Sequence, residues 1–323
     1  MFKKLLTASA LTLALASTQA HADKIVFAIG GSPQSLQGQT AKLFADKLQQ
    51  RLGEAHQVEY YDSAQLGDER QLVQKMRLGT VDLAAISSIM SSISDDFALF
   101  DLPFLVQDRQ HLLKIDEQIV MTKLASSAEA RGLKVLSTWE NGFRQITNND
   151  RPINTPEDLK GLKIRTPQSE WRTMMFSQWG SNPTPMAFSE VFVGLQTGVV
   201  DGQENPLTNI EGAKLNEVQK YLSMTDHVYS PIWLMAGMGG WSKFPEEIQS
   251  AIHAAAKEAQ QWSLSEGERM DKDLLVAFQA AGMTVNQADK ASFIAASQPV
   301  YDHFAKQVPS GKQLVEQAIA LGK

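Results

Sequence analysis

Arg165 stands where a charged side chain could grip a ligand. It lies in Leu162-Lys163-Ile164-Arg165-Thr166-Pro167, an alternating run that reads as a strand ended by Pro167. In open sheets with parallel strands, ligands gather beyond the C-terminal strand ends. A guanidinium there offers a planar fork of donors that fits a carboxylate through two parallel hydrogen bonds. Arg144 is a second candidate, in Glu140-Asn141-Gly142-Phe143-Arg144-Gln145, just after an apolar strand that closes at Trp139. An arginine at an arbitrary surface position forms an ion pair worth only about 0–1 kcal/mol. Position, not residue type, therefore distinguishes these two. Phe188 precedes Ser189, which reads as a helix N-cap, so its ring can face a cleft.

Catalytic chemistry finds little support. The chain has no Gly-x-Ser-x-Gly, no phosphate loop ending in Lys-Ser/Thr and no His-Glu-x-x-His. His56, His111, His227, His253 and His303 are not at metal-ligand spacing with one another. Asp201-Gly202-Gln203-Glu204-Asn205 lacks the spacing of a calcium loop and reads as a binding loop. There is no cysteine for a thiolate, a disulfide or a soft metal site. We expect no catalytic residue, no metal and no cofactor.

The elements that must position these side chains alternate. Lys24–Ile29 reads as a buried strand stopped by Gly30-Gly31-Ser32-Pro33. Ala41, Phe44, Leu48 and Leu52 repeat at helical spacing, and His56–Tyr61 is a second strand. A helix over 68–78 ends at Gly79, and Val81–Ile86 is a third strand. After a helical stretch near 108–131 come strands at 133–139 and 162–167. A helix from Ser189 to Thr197 follows, then a strand from Val199. Strand and helix in alternation predict mixed, mostly parallel sheets in an α/β fold. From Pro245 to Ala281 there is no further proline. Ile248, Ile252, Ala255, Ala259 and Trp262 form one apolar stripe, and Leu274, Leu275 and Phe278 another. A single helix of that length with a polar middle would pack on one lobe, cross open space and pack on a second; two helices broken near Gly267 are the other reading.

The N-terminus reads as a secretory leader. Lys3 and Lys4 precede a short apolar run, and Ala20-His21-Ala22 is a small-x-small cleavage pattern, so cleavage is expected after Ala22 and the location is the periplasm. The run is shorter than the roughly 20 apolar residues of a spanning helix, and no later stretch is long and apolar enough either. The net charge is −6, and losing those two lysines makes it −8. An acidic chain of this kind is not built for nucleic acid, and no membrane insertion of its own is expected.

Asp101-Leu102-Pro103-Phe104-Leu105, ENGFRQITN over 140–148, DLKGLKIRTP over 158–167 and NPTPMAFSEVFVGLQTGVVDGQENP over 182–206 together resemble the DctP-type solute-binding subunits of tripartite ATP-independent periplasmic (TRAP) transporters. The resemblance covers nearly the whole chain beyond the leader. It implies a two-lobe periplasmic binding protein of the Venus-flytrap kind, with a long helix spanning both lobes. The expected division is 23–142 plus 230–268 for lobe I and 143–229 plus 269–323 for lobe II.

The resemblance further implies a small organic acid held in the interlobe cleft and delivered to the membrane subunits. Arg165 matches the anchoring arginine, while Arg144, Asn205, Phe188 and Glu204 match positions around the pocket; Gln168 and His227 are looser matches. Sialate binders carry charged residues just after the third strand, where this chain has Ile86-Ser87-Ser88-Ile89. That departure argues against sialate. Ser87 and Ser88, with Trp233, suit the hydroxyls of a smaller acid, a uronate or aldonate first and a C4-dicarboxylate second. An ABC-type binding protein, a sensor module and a periplasmic enzyme of the same fold class are the alternatives.

Overall fold

The computed structural model describes residues 23–323, so the leader reading lies outside the described residues. Ten strands occur in chain order: β1 Asp23–Ile29, β2 His56–Tyr61, β3 Leu83–Ile86, β4 Leu133–Asn148, β5 Lys163–Thr166, β6 Asn182–Pro185, β7 Gly202–Pro206, β8 Tyr221–Met224, β9 Tyr229–Gly237 and β10 Thr284–Gln287. Their main path runs β2-β1-β3-β9-β4-β7-β5-β6, with β8 pairing β4 and β10 pairing β8. β1, β2 and β3 pair in parallel, as do β5 with β6 and β7. β9 runs antiparallel to β3 and β4, and β4 runs antiparallel to β7 and β8. The sheets are mixed, as an α/β two-lobe binding protein requires.

β4 joins the two halves. Its first part pairs β9 and its last part pairs β7 and β8. Sequence periodicity ended this strand at Trp139; it continues to Asn148, so Arg144 lies inside a strand and not in a loop after one. The ladder with β9 slips between Glu140 and Gly142, where Gly142 takes φ +121°. A bulge at that point bends the strand between the halves. Val199 does not begin a strand; 199–201 turn into β7. Ser189 lies within a 3₁₀ turn, Phe188–Glu190, and the helix starts at Val191.

The long helix is continuous from Glu246 to Ala280. Ile248, Ile252, Ala255, Ala256 and Ala259 pack with Phe27, Phe44 and Trp139 in one core. Phe278 packs with Leu195, Leu207 and Leu222 in another. Its middle is not bridging open space. Ser263 accepts from the Glu140 backbone N–H at 3.1 Å. At Gly267 an added Cβ would stand 2.6 Å from Glu140 Cγ. The buried Glu140 carboxylate bonds Tyr229 and, at 2.9 Å, Arg109, which also reaches Asp271 on the same helix at 2.7 Å. Glycine at 267 lets this clamp close against the helix.

Candidate functional site

A cleft with an empty volume of about 710 Å³ lies between the strand-end loops of the two halves. One wall comes from Gly30, Gly31, Gln37, Glu69, Ser87 and Ser88; the other from Arg144, Arg165, Gln168, Phe188, Asn205 and Asn209. The strand pattern explains the placement. Gly30-Gly31 ends β1, Ser87-Ser88 follows β3, and Arg165 closes β5 before Pro167.

Arg165 is 3% exposed. Nε and Nη2 both donate to the Met186 carbonyl, at 3.0 and 2.6 Å. Cζ lies 5.9 Å from the centroid of the Phe188 ring, a cation–π contact. No carboxylate forms an ion pair with it among the described residues, and Nη1 makes no hydrogen bond to them. One edge of the guanidinium is thus fixed to the backbone while the Nη1/Nη2 edge is left for a ligand. Burial pushes its pKa down, with Arg144 and Arg172 adding repulsion against the pull of Glu204 and Glu69.

Arg144 sits differently. Its Nε and Nη2 fork onto the Glu204 carboxylate, Nη2 at 2.9 Å, and Nη2 also reaches the Glu204 carbonyl at 2.7 Å and Asn205 Oδ1 at 3.1 Å. Glu204 is fully buried and does not line the cleft, contrary to the sequence expectation. Alternation along β7 turns it to the other side of the sheet from Asn205. It also accepts from Arg172 Nη1 at 2.9 Å and contacts His227 Nε2 at 3.1 Å. Burial alone would raise the Glu204 pKa, yet Arg144 and Arg172 hold it far below the ordinary carboxylate range.

His227 is likewise behind the cleft, bonded through Nδ1 to Thr225 Oγ1 at 2.7 Å and boxed by Phe176 and Trp179. Burial lowers its pKa against the pull of Glu204. Trp233 is also misplaced by the sequence reading. It is 2% exposed and packs edge-on against Phe97 and Phe100, below Ser87 and Ser88. Gln168, Phe188, Ser87, Ser88 and Asn205 do line the cleft with the two arginines. The Ser87 hydroxyl donates to the Pro231 carbonyl at 2.8 Å, so toward the cleft it can only accept.

Four groups escaped the sequence reading. Glu69 opens the helix Glu69–Leu78 and accepts from the Ser87 N–H at 3.1 Å. Burial pushes its pKa up to about 7, opposed by backbone N–H groups of Ser87 and Ile89 and by Arg165 and Arg144. Asn141 and Asn209 bond each other at 3.1 Å, and Asn209 Oδ1 has no partner among the described residues. Arg172, 1% exposed, joins Asp101 at 2.6 Å to Glu204. Acidity in the first turn of a helix that follows β2 was the available signal for Glu69. For Asn209 the signal was its spacing four residues after Asn205 on a helix. Nothing in the sequence marked Arg172 apart from any helical arginine.

The sequence profile of bacterial extracellular solute-binding protein family 7, DctP, matches residues 27–307. The chain belongs to this family, the solute-binding proteins of TRAP transporters. The 2,3-diketo-L-gulonate-binding periplasmic protein YiaO of Escherichia coli K12 is 35% identical over 306 residues, covering 94% of this chain and 93% of that protein. A TRAP solute-binding protein from Bordetella bronchispeptica, solved with density interpreted as pantoate, superposes with TM-score 0.87 at 34% identity, covering 92% and 98%. The sugar acid-binding protein DctPAm of Advenella mimigardefordensis, solved with galactonate, gives TM-score 0.88 at 28% identity, covering 92% and 97%. DctP-family proteins bind carboxylates and are periplasmic binding proteins, not enzymes. In the present DctP-family chain, no helix among the described residues is long and apolar enough to cross a membrane.

Proposed function

We propose that this chain captures a hydroxylated monocarboxylate, a sugar acid of the aldonate or uronate kind, and delivers it to TRAP membrane subunits. The observation that carries this reading is Arg165: a buried guanidinium, one edge tied to Met186, the other facing the cleft without a protein counter-ion. Charge balance supports one ligand carboxylate. Arg144, Arg165 and Arg172 bring three positive charges; Glu204 and Asp101 return two, and Glu69, with its pKa raised to about 7, is only partly ionised near neutrality. A bound carboxylate completes the set and offsets the burial cost of Arg165.

The rest of the cleft suits hydroxyls. The unpartnered Asn209 Oδ1, the Glu69 carboxyl and the Ser87 oxygen are acceptors. Glu69 disfavours a second carboxylate at its end, which ranks C4-dicarboxylates below sugar acids. We take the division as 23–142 with 230–268 and 143–229 with 269–323; the bulge at Glu140/Gly142 opposite Ser230 supports bending there. Binding then closes the halves, because the acid contacts both walls only when they are near. Export with cleavage after Ala22 belongs to the same reading.

The test is calorimetry on the purified chain with galactonate, erythronate, glucuronate and succinate. The reading expects saturable binding of at least one hydroxylated monocarboxylate, tighter than succinate. Binding of none of the acids, or preference for an uncharged sugar, overturns it. Conversion of a bound acid into product would instead favour the enzyme alternative.

A further inference from the structure

Behind Ser87 and Ser88 lies a second, partly open space of about 200 Å³, lined also by Asp101, Arg172, Ser230 and Trp233. Its free centre has room for about one water molecule. Arg172 and Trp233, which both line it, each carry a buried donor, Nε and Nε1, with no acceptor among the described residues. Both side chains are almost fully buried. Neither can turn elsewhere. Arg172 is pinned by Nη1 on Glu204 at 2.9 Å and Nη2 on Asp101 at 2.6 Å. Trp233 is wedged edge-on between Phe97, at 4.8 Å between ring centroids, and Phe100, at 5.5 Å. Buried donors left unmet are destabilising, a charged one more so.

We propose that this chamber is a binding site for a single ordered water, which accepts from Arg172 Nε and Trp233 Nε1 and donates to the oxygens of the wall. A water accepts two hydrogen bonds and donates two, so it answers both donors at once. The wall supplies acceptors. The Ser88 hydroxyl makes no hydrogen bond to the described residues and borders both the chamber and the cleft. The Asp101 carboxylate and the Ser230 hydroxyl are also present. The water joins β9, the segment after β3 and the helix Glu170–Gln178. It fixes the third side of Arg172, whose other two sides hold Asp101 and Glu204. The site depends on the chamber alone and stands whichever acid occupies the cleft.

The experiment is a high-resolution crystal structure of the ligand-free chain, paired with NMR transfer of magnetisation from water to the Trp233 indole proton, whose resonance Trp233→Phe assigns by removing it. The expected result is one oxygen peak within hydrogen-bond distance of both nitrogens and a water cross-peak at that indole. A chamber without density, or an indole with no water cross-peak, overturns the proposal. So does an oxygen that appears only on soaking with galactonate and is continuous with the acid, which would make the space a ligand subsite.

Discussion

Arg144 and Glu204 face each other as a fully buried fork, with Arg144 Nη2 2.9 Å from Glu204 Oε1 and 2.7 Å from the Glu204 carbonyl. This pairing separates two arginines that border the same cleft. Arg144 is already neutralised by the protein, and Arg165 is not.

Arg165→Ala should abolish measurable binding of any acid the wild type takes. Losing one partner of a buried charge pair costs about 2–5 kcal/mol or more, a loss on the order of 30- to several thousand-fold. Arg165→Lys should restore little, because an ammonium cannot hold Met186 and present a planar fork together. Titration calorimetry decides this. Near wild-type affinity in Arg165→Ala would remove the assigned anchor.

Arg144→Ala acts first on the fold. It strips one of two arginine partners from the buried Glu204, which keeps Arg172; losing a whole partner from a buried pair costs about 3–5 kcal/mol of stability, and the remaining arginine holds this loss toward the lower end. Urea unfolding should show the loss without ligand present. Arg165→Ala, which breaks no protein ion pair, should cost far less in the same assay. Equal costs would contradict the division of roles between the two arginines.

Glu69 gives the cleft a pH response. Its folded pKa, raised to about 7, means the folded chain holds the proton over a window where the unfolded chain, near the ordinary glutamate value of 4.5, has lost it. Its contribution to stability therefore falls as pH rises from about 4.5 to 7, and the full cost is present above that. For binding, a second ligand carboxylate meets less repulsion once Glu69 is protonated. Succinate should bind more tightly at pH 6 than at pH 8 in wild type, and Glu69→Gln should flatten that difference. A succinate profile that is the same in both proteins would show that Glu69 does not face that end of the ligand.

Gly267→Ala tests the clamp on the long helix. In an exposed helix interior the change stabilises by roughly 1 kcal/mol. Here the new methyl would lie 2.6 Å from Glu140 Cγ and 3.0 Å from Leu36 Cδ2, so the sign should reverse and the melting temperature should fall. A rise in melting temperature would mean that Glu140 moves aside without cost.

Much of the fold was legible because its elements are local. β1, the helix Leu36–Leu52, β2, the helix Glu69–Leu78 and β3 follow from periodicity and glycine stops. The extension of β4 through Gly142 was not, since a glycine and a run of polar side chains imitate a loop. Only pairing with β9, β7 and β8 keeps that run extended. β9 escaped for a related reason: it is buried on both faces and carries Pro231, so neither alternation nor turn signals mark it.

The sequence by itself determined the alternating elements, the arginine at a strand end before a proline, and the motifs of the DctP family. Those depend on neighbours along the chain. The tertiary structure decided which charges meet. Asn205 and Glu204 are adjacent in sequence, yet the pleat of β7 sends one to the cleft and the other into a buried cluster with Arg144, Arg172 and His227. Whether a guanidinium keeps a free edge depends on which carboxylates other strands and helices bring beside it. The residues that answer this are 32 to 71 positions apart along the chain.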